Sequence, residues 1–211
     1  MRFHGQFEPP LDQYLWETFF IEKKDPGFFV ECGAFDGVYD SSCLMFEESL
    51  GWTGVNIEAS PVIFPLLEKQ RPNSTNLQIA LSRNSGTATF RHVSDAVHGD
   101  FLGWGSLEHQ PAQAAEISQE RMLVTEWQVQ TCAWRDCEIL QTAGNIDLFV
   151  LDVEGHEIAV IDGMAGAAVL PKVLCVEHGQ VGIELLKGKL LELGFEFVSS
   201  LHVNSFFVLK L

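Results

Sequence analysis

The chain has 211 residues, of which 46% are hydrophobic and 20% charged, and it carries a formal net charge of −16. That length suits one domain with a sizeable core, and the composition speaks against a disordered chain. The acidity speaks against a nucleic-acid partner or an anionic membrane surface, both of which want a basic face, and it permits a carboxylate cluster that holds a divalent cation.

Residues 11–23 place Leu11, Tyr14, Leu15 and Phe19 near helical spacing. They predict an N-terminal helical cap within 1–27 that packs on the sheet edge or covers the pocket, and Asp25-Pro26-Gly27 turns the chain after it. Residues 28–32 form a short apolar run suited to a strand buried on both faces, broken by Glu31 and followed by a turn, Gly33-Ala34-Phe35-Asp36-Gly37. Asp40-Ser41-Ser42 supplies caps for a helix that Gly51 ends. Trp52 to Ile57 is a second buried strand, closed by Glu58. Ser60-Pro61 opens a helix to about Arg71; residues 76–81 read as a third strand, and Thr87 to Phe90 as extended chain. The β-α-β-α-β order implies a parallel sheet with right-handed crossovers.

Residues 92–125 break this pattern. The stretch from His98 to Gln110 is rich in Gly, His and aromatic residues without periodicity, which predicts an acceptor-site loop or lid, with helix from Ala112 to about Met122. Glu126 to Cys132 alternates weakly, as a strand or edge segment, and Ala133 to Thr142 suits a short helix. Ile146 to Val153 is another buried strand, ending in Asp152, Glu154, Gly155, His156 and Glu157; helix is expected over 157–164. Residues 173–177 form a fifth strand running into Glu177-His178, Gly182 to Leu193 an amphipathic helix, and Phe195 to Ser199 with Ser205 to Leu209 a terminal antiparallel hairpin. Without repeats or linkers, 1–211 reads as one domain. Five cysteines without a CxxC spacing point to a reducing compartment. No leader is recognisable at Met1 to Gln6, and no apolar run approaches the roughly twenty residues of a membrane span. The expected location is cytoplasmic.

In open α/β sheets, ligands bind beyond the carboxyl ends of the strands. Here those ends carry Glu31 and Gly33, then Glu58, then Asp152, Glu154 and His156, then Glu177 and His178. Four strands ending this way predict a shared polar site. A dinucleotide turn wants Gly-x-Gly-x-x-Gly so that backbone amides cradle a diphosphate. This turn keeps only its outer glycines and has an acid on each side, which would repel a diphosphate and suit a ligand carrying an amine and a sulfonium. S-adenosylmethionine fits that description, and Glu58 can accept hydrogen bonds from both ribose hydroxyls.

The stretches Phe29 to Gly37, Gly51 to Pro61, Ala80-Leu81-Ser82 with Gly86, and above all Ile146 to Glu157, with its Asp-Val-Glu-Gly-x-Glu signature, resemble the FkbM-type S-adenosylmethionine-dependent methyltransferases over about residues 28–209. The family often carries Asn where this chain has Phe35. The resemblance implies a class I methyltransferase (Rossmann-like) α/β fold: a seven-stranded, mostly parallel sheet with a terminal antiparallel hairpin and helices on both faces. It also implies Glu31 and Gly33 at the methionyl part of the cofactor, Glu58 on the ribose diol and Ala80 beside the adenine, with Ala34, Phe35, Asp36, Gly37, Ala59 and Asp152 completing the site. The usual reaction is methyl transfer to a hydroxyl, often on a sugar or small metabolite.

Acids at the ends of the fourth and fifth strands hold Mg²⁺ in metal-dependent relatives of this fold, so Asp152, Glu177 and His178 are the candidate metal ligands. His178 would favour Mn²⁺ or Fe²⁺ over Mg²⁺. The alternative is that Asp152 and Glu154 only bind loop amides. Without a metal a general base is needed, and His156 and His178 are the candidates beside Asp152, with His109 third. Two other functions compete: an NAD(P)-dependent oxidoreductase, and a cofactor-binding module without catalysis. The expected partner is a small-molecule hydroxyl acceptor, not nucleic acid or membrane, and a homodimer is left open.

Overall fold

In the computed structural model, which describes residues 1–210, the chain builds one seven-stranded and one three-stranded sheet. It begins with α1 (Leu11–Leu15), which continues into a single wide π turn (Trp16–Phe20). Then come β1 (Phe28–Cys32), α2 (Leu44–Leu50), β2 (Thr53–Ile57), α3 (Phe64–Gln70) and β3 (Thr75–Leu77). The middle of the chain holds β4 (Ala80–Leu81), β5 (Gly86–Ser94), α4 (Pro111–Gln119), β6 (Leu123–Cys132), a 3₁₀ turn (Trp134–Asp136) and α5 (Glu138–Thr142). The last third is β7 (Leu148–Leu151), α6 (Glu157–Met164), β8 (Val173–Glu177), α7 (Ile183–Glu192), β9 (Phe195–Leu201) and β10 (Asn204–Leu209).

The main sheet has the order β3-β2-β1-β7-β8-β10-β9. Its first five strands pair parallel, and β10 runs antiparallel to both β8 and β9. This is the α/β class expected from sequence, including the reversed terminal hairpin. The apolar runs have the cause assigned to them: each central strand buries both faces. Val30, Phe149, Leu151, Leu174 and Val176 face α5, α6 and α7, packing with Trp134, Leu140, Val160 and Leu186. The alternate residues Phe29, Leu148, Val150, Val173 and Cys175 face the other way, onto α1, the π turn and α2, against Leu15, Phe20, Met45 and Phe46. Each such buried side chain contributes roughly 1.5–3 kcal/mol.

Three expectations change. The third strand read over 76–81 is two strands: β3 stays in the main sheet, and after Gln78 and Ile79 the chain crosses to β4, which pairs with the end of β6 in the second sheet, of order β4-β6-β5. The irregular segment shrinks from 92–125 to 95–110, because β5 runs on through His92 and Val93 and α4 and β6 take up the far end. The N-terminal helix does not cover the pocket; it lies on a sheet face and reaches the edge strand β9, with the Tyr14 hydroxyl 2.8 Å from Ser199 Oγ. Only the preceding segment reaches the site, through Gln6. Among the described residues no helix is long and apolar enough to cross a membrane.

Candidate active site

A cavity of about 350 Å³ opens beyond the carboxyl ends of β1, β2 and β7, roofed by the 95–110 segment. A volume of this order suits a drug-sized ligand, for which roughly 300–1,000 Å³ is usual. Gly33 sets its depth. Its φ is +82°, and a Cβ there would stand 1.7 Å from the carbonyl oxygen of Asp152, so only glycine lets β1 turn off against the end of β7. The amides of Gly33 and Ala34 both donate to the carbonyl of Ile57, which leaves this turn pinned between β2 and β7.

Glu58 lies just past β2 and lines the cavity while 7% exposed. Its Oε1 accepts from the Ser60 amide at 2.7 Å and its Oε2 from the Phe35 amide at 3.0 Å, so the carboxylate is aimed by backbone on both sides. Burial pushes its carboxyl up to about 7 from an ordinary 4.5, against the pull of the Ser60, Phe35 and Ala59 amides. A raised carboxyl stabilises the fold below the unfolded pKa and loses that contribution as pH rises through the folded one. Glu58 therefore tilts stability downward between pH 4.5 and 7, by on the order of 3 kcal/mol. Asp152, Glu154 and Glu177 also sit high and slope the curve the same way, so the test is a difference. Denaturant unfolding of Glu58→Gln at pH 5 and pH 8 should show a drop smaller than the wild-type drop by about that amount; equal slopes would refute the assignment.

Glu31 lines the same cavity, but its carboxylate is committed. It accepts from Ser41 Oγ at 2.8 Å and the Ser42 amide at 2.7 Å, and Arg71 Nη1 stands 3.6 Å away. Arg71 is 0% exposed. It also donates to Glu47 at 2.8 and 3.1 Å and to the Gly37 carbonyl at 2.9 Å. Sequence reasoning took this residue for the end of a helix and missed it; a charged residue beside a Pro-Asn stop gives no signal of burial.

Gly33, Ala34, Phe35, Ala59 and Ala80 line the cavity with Glu31, Glu58 and Asp152. Asp36 and Gly37 do not. Asp36 Oδ1 turns back to accept from the amides of Val38 and Tyr39, and Gly37 is glycine because a Cβ would stand 2.5 Å from Arg71 Cγ. Phe35 takes a left-handed φ of 50° and sets its ring edge-on to Phe101 at 5.8 Å, so it latches the roof. Strain of roughly 1–2 kcal/mol at such a residue is offset by about 0.5–1.5 kcal/mol from the aromatic pair. Phe35→Asn should accordingly leave melting within about 3 °C of wild type while amide exchange across 95–110 accelerates. Unchanged exchange there would exclude the latch.

The Asp152–Glu157 turn is gripped from above. Ser106 Oγ donates to the Val153 carbonyl, Gln110 Nε2 to the Gly155 carbonyl, and Gln113 Nε2 to Glu154 Oε2 at 2.7 Å. Asp152 is exposed to the cavity, with Glu177, Glu154, Glu157 and Glu31 around it. His156 lines the cavity; its Nε2 is 3.0 Å from Ser82 Oγ, and burial lowers its pKa. His178 is corrected on both counts. It does not line the cavity, and its Nδ1 turns to Ser205 Oγ at 2.9 Å, so it joins neither the candidate base position nor the acid cluster. The residue that joins Asp152 and Glu177 is Glu157. His109 is held on the Trp104 carbonyl at 2.8 Å. One buried imidazole, His92, lines the cavity with Nδ1 3.1 Å from Ser60 Oγ, hidden in sequence by its place near the end of a strand.

The model of the methyltransferase FkbM domain matches residues 31–197, a span that holds every one of these cavity and cluster residues except Gln6. The chain belongs to the FkbM methyltransferase family. Membership removes the oxidoreductase reading and makes methyl transfer the reaction class of this FkbM domain. Among solved structures, a chain from Galdieria sulphuraria described as a candidate sarcosine dimethylglycine methyltransferase aligns with a TM-score of 0.49 and 9% identity, over 94% of this chain and 69% of its own. A search of curated protein sequences gave no match.

Proposed function

We propose that this FkbM protein transfers the methyl group of S-adenosylmethionine to a hydroxyl of a sugar or other small metabolite. The observation that carries the reading is one continuous cavity joining Glu58, past β2, to Asp152, past β7, across Gly33. The residues fit the cofactor. Gly33 lets the turn after β1 close against Asp152 beside the cavity, Glu58 offers an aimed carboxylate for a ribose diol, and Ala80 with Ile79 and Ile63 supplies an apolar wall for a purine. Because Glu31 is tied to Ser41, Ser42 and Arg71, its part is to hold the methionyl end of the cavity in shape, while Asp152 is the carboxyl left open to the cavity there. Bound there, the cofactor would supply an electrophilic methyl group. The chain's own work is to close the roof through Phe35 and Phe101 and to take the acceptor proton, for which His156, at the cavity wall, is the candidate.

Calorimetric titration tests this directly. S-adenosylmethionine should bind at one site, and Glu58→Ala should weaken it roughly ten- to a hundred-fold, the worth of a hydrogen bond to a charged group. Binding of NAD with no response to S-adenosylmethionine would overturn the proposal. A screen of sugars, catechols and small peptides with methyl-labelled cofactor then identifies the acceptor.

A further inference from the structure

Two glutamates near the ends of β7 and β8 carry oxygens that the fold leaves unengaged. Glu157, the first residue of α6, is 0% exposed. Its Oε1 accepts from the amides of Val153 and Gly155, each at 3.1 Å, and its Oε2 is buried without a hydrogen-bond partner. Glu177 ends β8, and its Oε2 is likewise buried and unpartnered. One carboxylate oxygen from each of Asp152, Glu157 and Glu177 lies within 4.8 Å of the other two.

An unsatisfied buried polar atom costs about 1–3 kcal/mol, and more when charged, so two in one cluster call for a missing partner. A divalent cation is such a partner: it would engage both free oxygens and offset the mutual repulsion of three carboxylates at this spacing. The buried guanidinium of Arg71 does not serve, because it is engaged by Glu47 and Glu31. Ligands on opposite sides of a divalent ion stand about 4–5 Å apart, so oxygens that all lie within 4.8 Å can surround one ion.

We infer that Asp152, Glu157 and Glu177 form a site for one hard divalent cation of the Mg²⁺ or Mn²⁺ class, with Asp152 bringing the ion to the edge of the cavity. An all-oxygen donor set selects such ions over softer ones, and the exclusion of His178 removes the only nitrogen that sequence had suggested. Mg²⁺ and Mn²⁺ retain coordinated water, so three protein ligands leave positions that water or an acceptor hydroxyl can fill. The ion's use in orienting an acceptor rests on the methyl-transfer reading; its binding does not.

The experiment uses the full chain stripped with a chelator and titrated with Mn²⁺ alone, free ion being counted by electron paramagnetic resonance, with Mg²⁺ and Ca²⁺ as competitors. The site predicts one saturable Mn²⁺ ion, displaced by Mg²⁺. Glu177→Gln and Glu157→Gln should each weaken it roughly ten-fold or more while circular dichroism stays that of the folded protein. Glu177→Gln is the decisive variant, since Glu157 also holds two backbone amides. Absence of saturation into the millimolar range overturns the inference, and so does equal affinity in Glu177→Gln. Titration of the same samples with S-adenosylmethionine separates the two claims: Mn²⁺ binding without cofactor binding supports the site and removes its proposed use.

Discussion

Replacing Arg71 with Met should lower folding stability by about 3–5 kcal/mol, the usual result of removing one partner from a buried charge group. The methionine fills much of the arginine stem's volume, so the loss is electrostatic. Glu47 keeps only the Ser74 hydroxyl, and Glu31 keeps Ser41 and Ser42 in a site where burial already pushes its carboxyl up. The Arg71 guanidinium also stands 5.5 Å from the Phe29 ring and bonds the Gly37 carbonyl, so the turn after β1 loosens with it. Against a total stability of 5–15 kcal/mol, the melting temperature should fall by roughly 10 °C. Thermal unfolding at neutral pH decides the matter. A loss below about 1 kcal/mol would mean that Glu31 and Glu47 are neutral or hydrated without Arg71. Cofactor affinity should fall alongside, because Ser41, which Arg71 and Glu31 hold together, is part of the cavity wall.

That residue also marks where sequence reasoning stops. The main sheet was legible because β1, β2, β7 and β8 are buried on both faces and so read as apolar runs, each with its acid standing out at the carboxyl end. The Ser41 cap was legible for a local reason: its hydroxyl takes the amide of Leu44, three residues on. The second sheet was legible only in part. Residues 126–132 alternate weakly and 87–90 read as extended, but Val129 is the one buried residue of β6, so the pattern gives neither the strand's start at Leu123 nor its pairing with β4 and β5. The split between β3 and β4 was hidden as well, since a strand that changes sheets keeps the same composition on both sides of the crossing. Phe35 looked anomalous in its turn until the roof supplied Phe101 as its partner, a contact made across 65 intervening positions in the chain. In the acid cluster the sequence named Asp152 and Glu177 as metal candidates, and counted Glu157 only among the acids that follow the fourth strand, where a helix begins. Its inward turn depends on Gly155 and on the left-handed φ of 54° at Glu154, a backbone detail that non-glycine residues seldom adopt and that pattern does not encode.

Changing His156 to Ala should cut kcat by about 10²–10⁴, the usual span for a general base, and leave the affinity for S-adenosylmethionine unchanged. Geometry separates this residue from a structural histidine. A packed imidazole has both nitrogens engaged, as His92 does between Ser60 and Asp100. His156 has one nitrogen fixed, Nε2 on Ser82 Oγ, while Nδ1 is buried without a hydrogen-bond partner, 4.0 Å from Glu108 Oε2. An orphaned ring nitrogen at a cavity wall is a place for an acceptor hydroxyl, with Ser82 fixing the ring and Glu108 favouring the protonated form. His156→Gln supplies the control: it can keep the bond to Ser82 and the packing but cannot take a proton, so it should fold as wild type and be as slow as the alanine variant. If the glutamine variant retains most of the turnover, or if both variants lose cofactor affinity in step with kcat, His156 is a support for the turn and the proton leaves by another route.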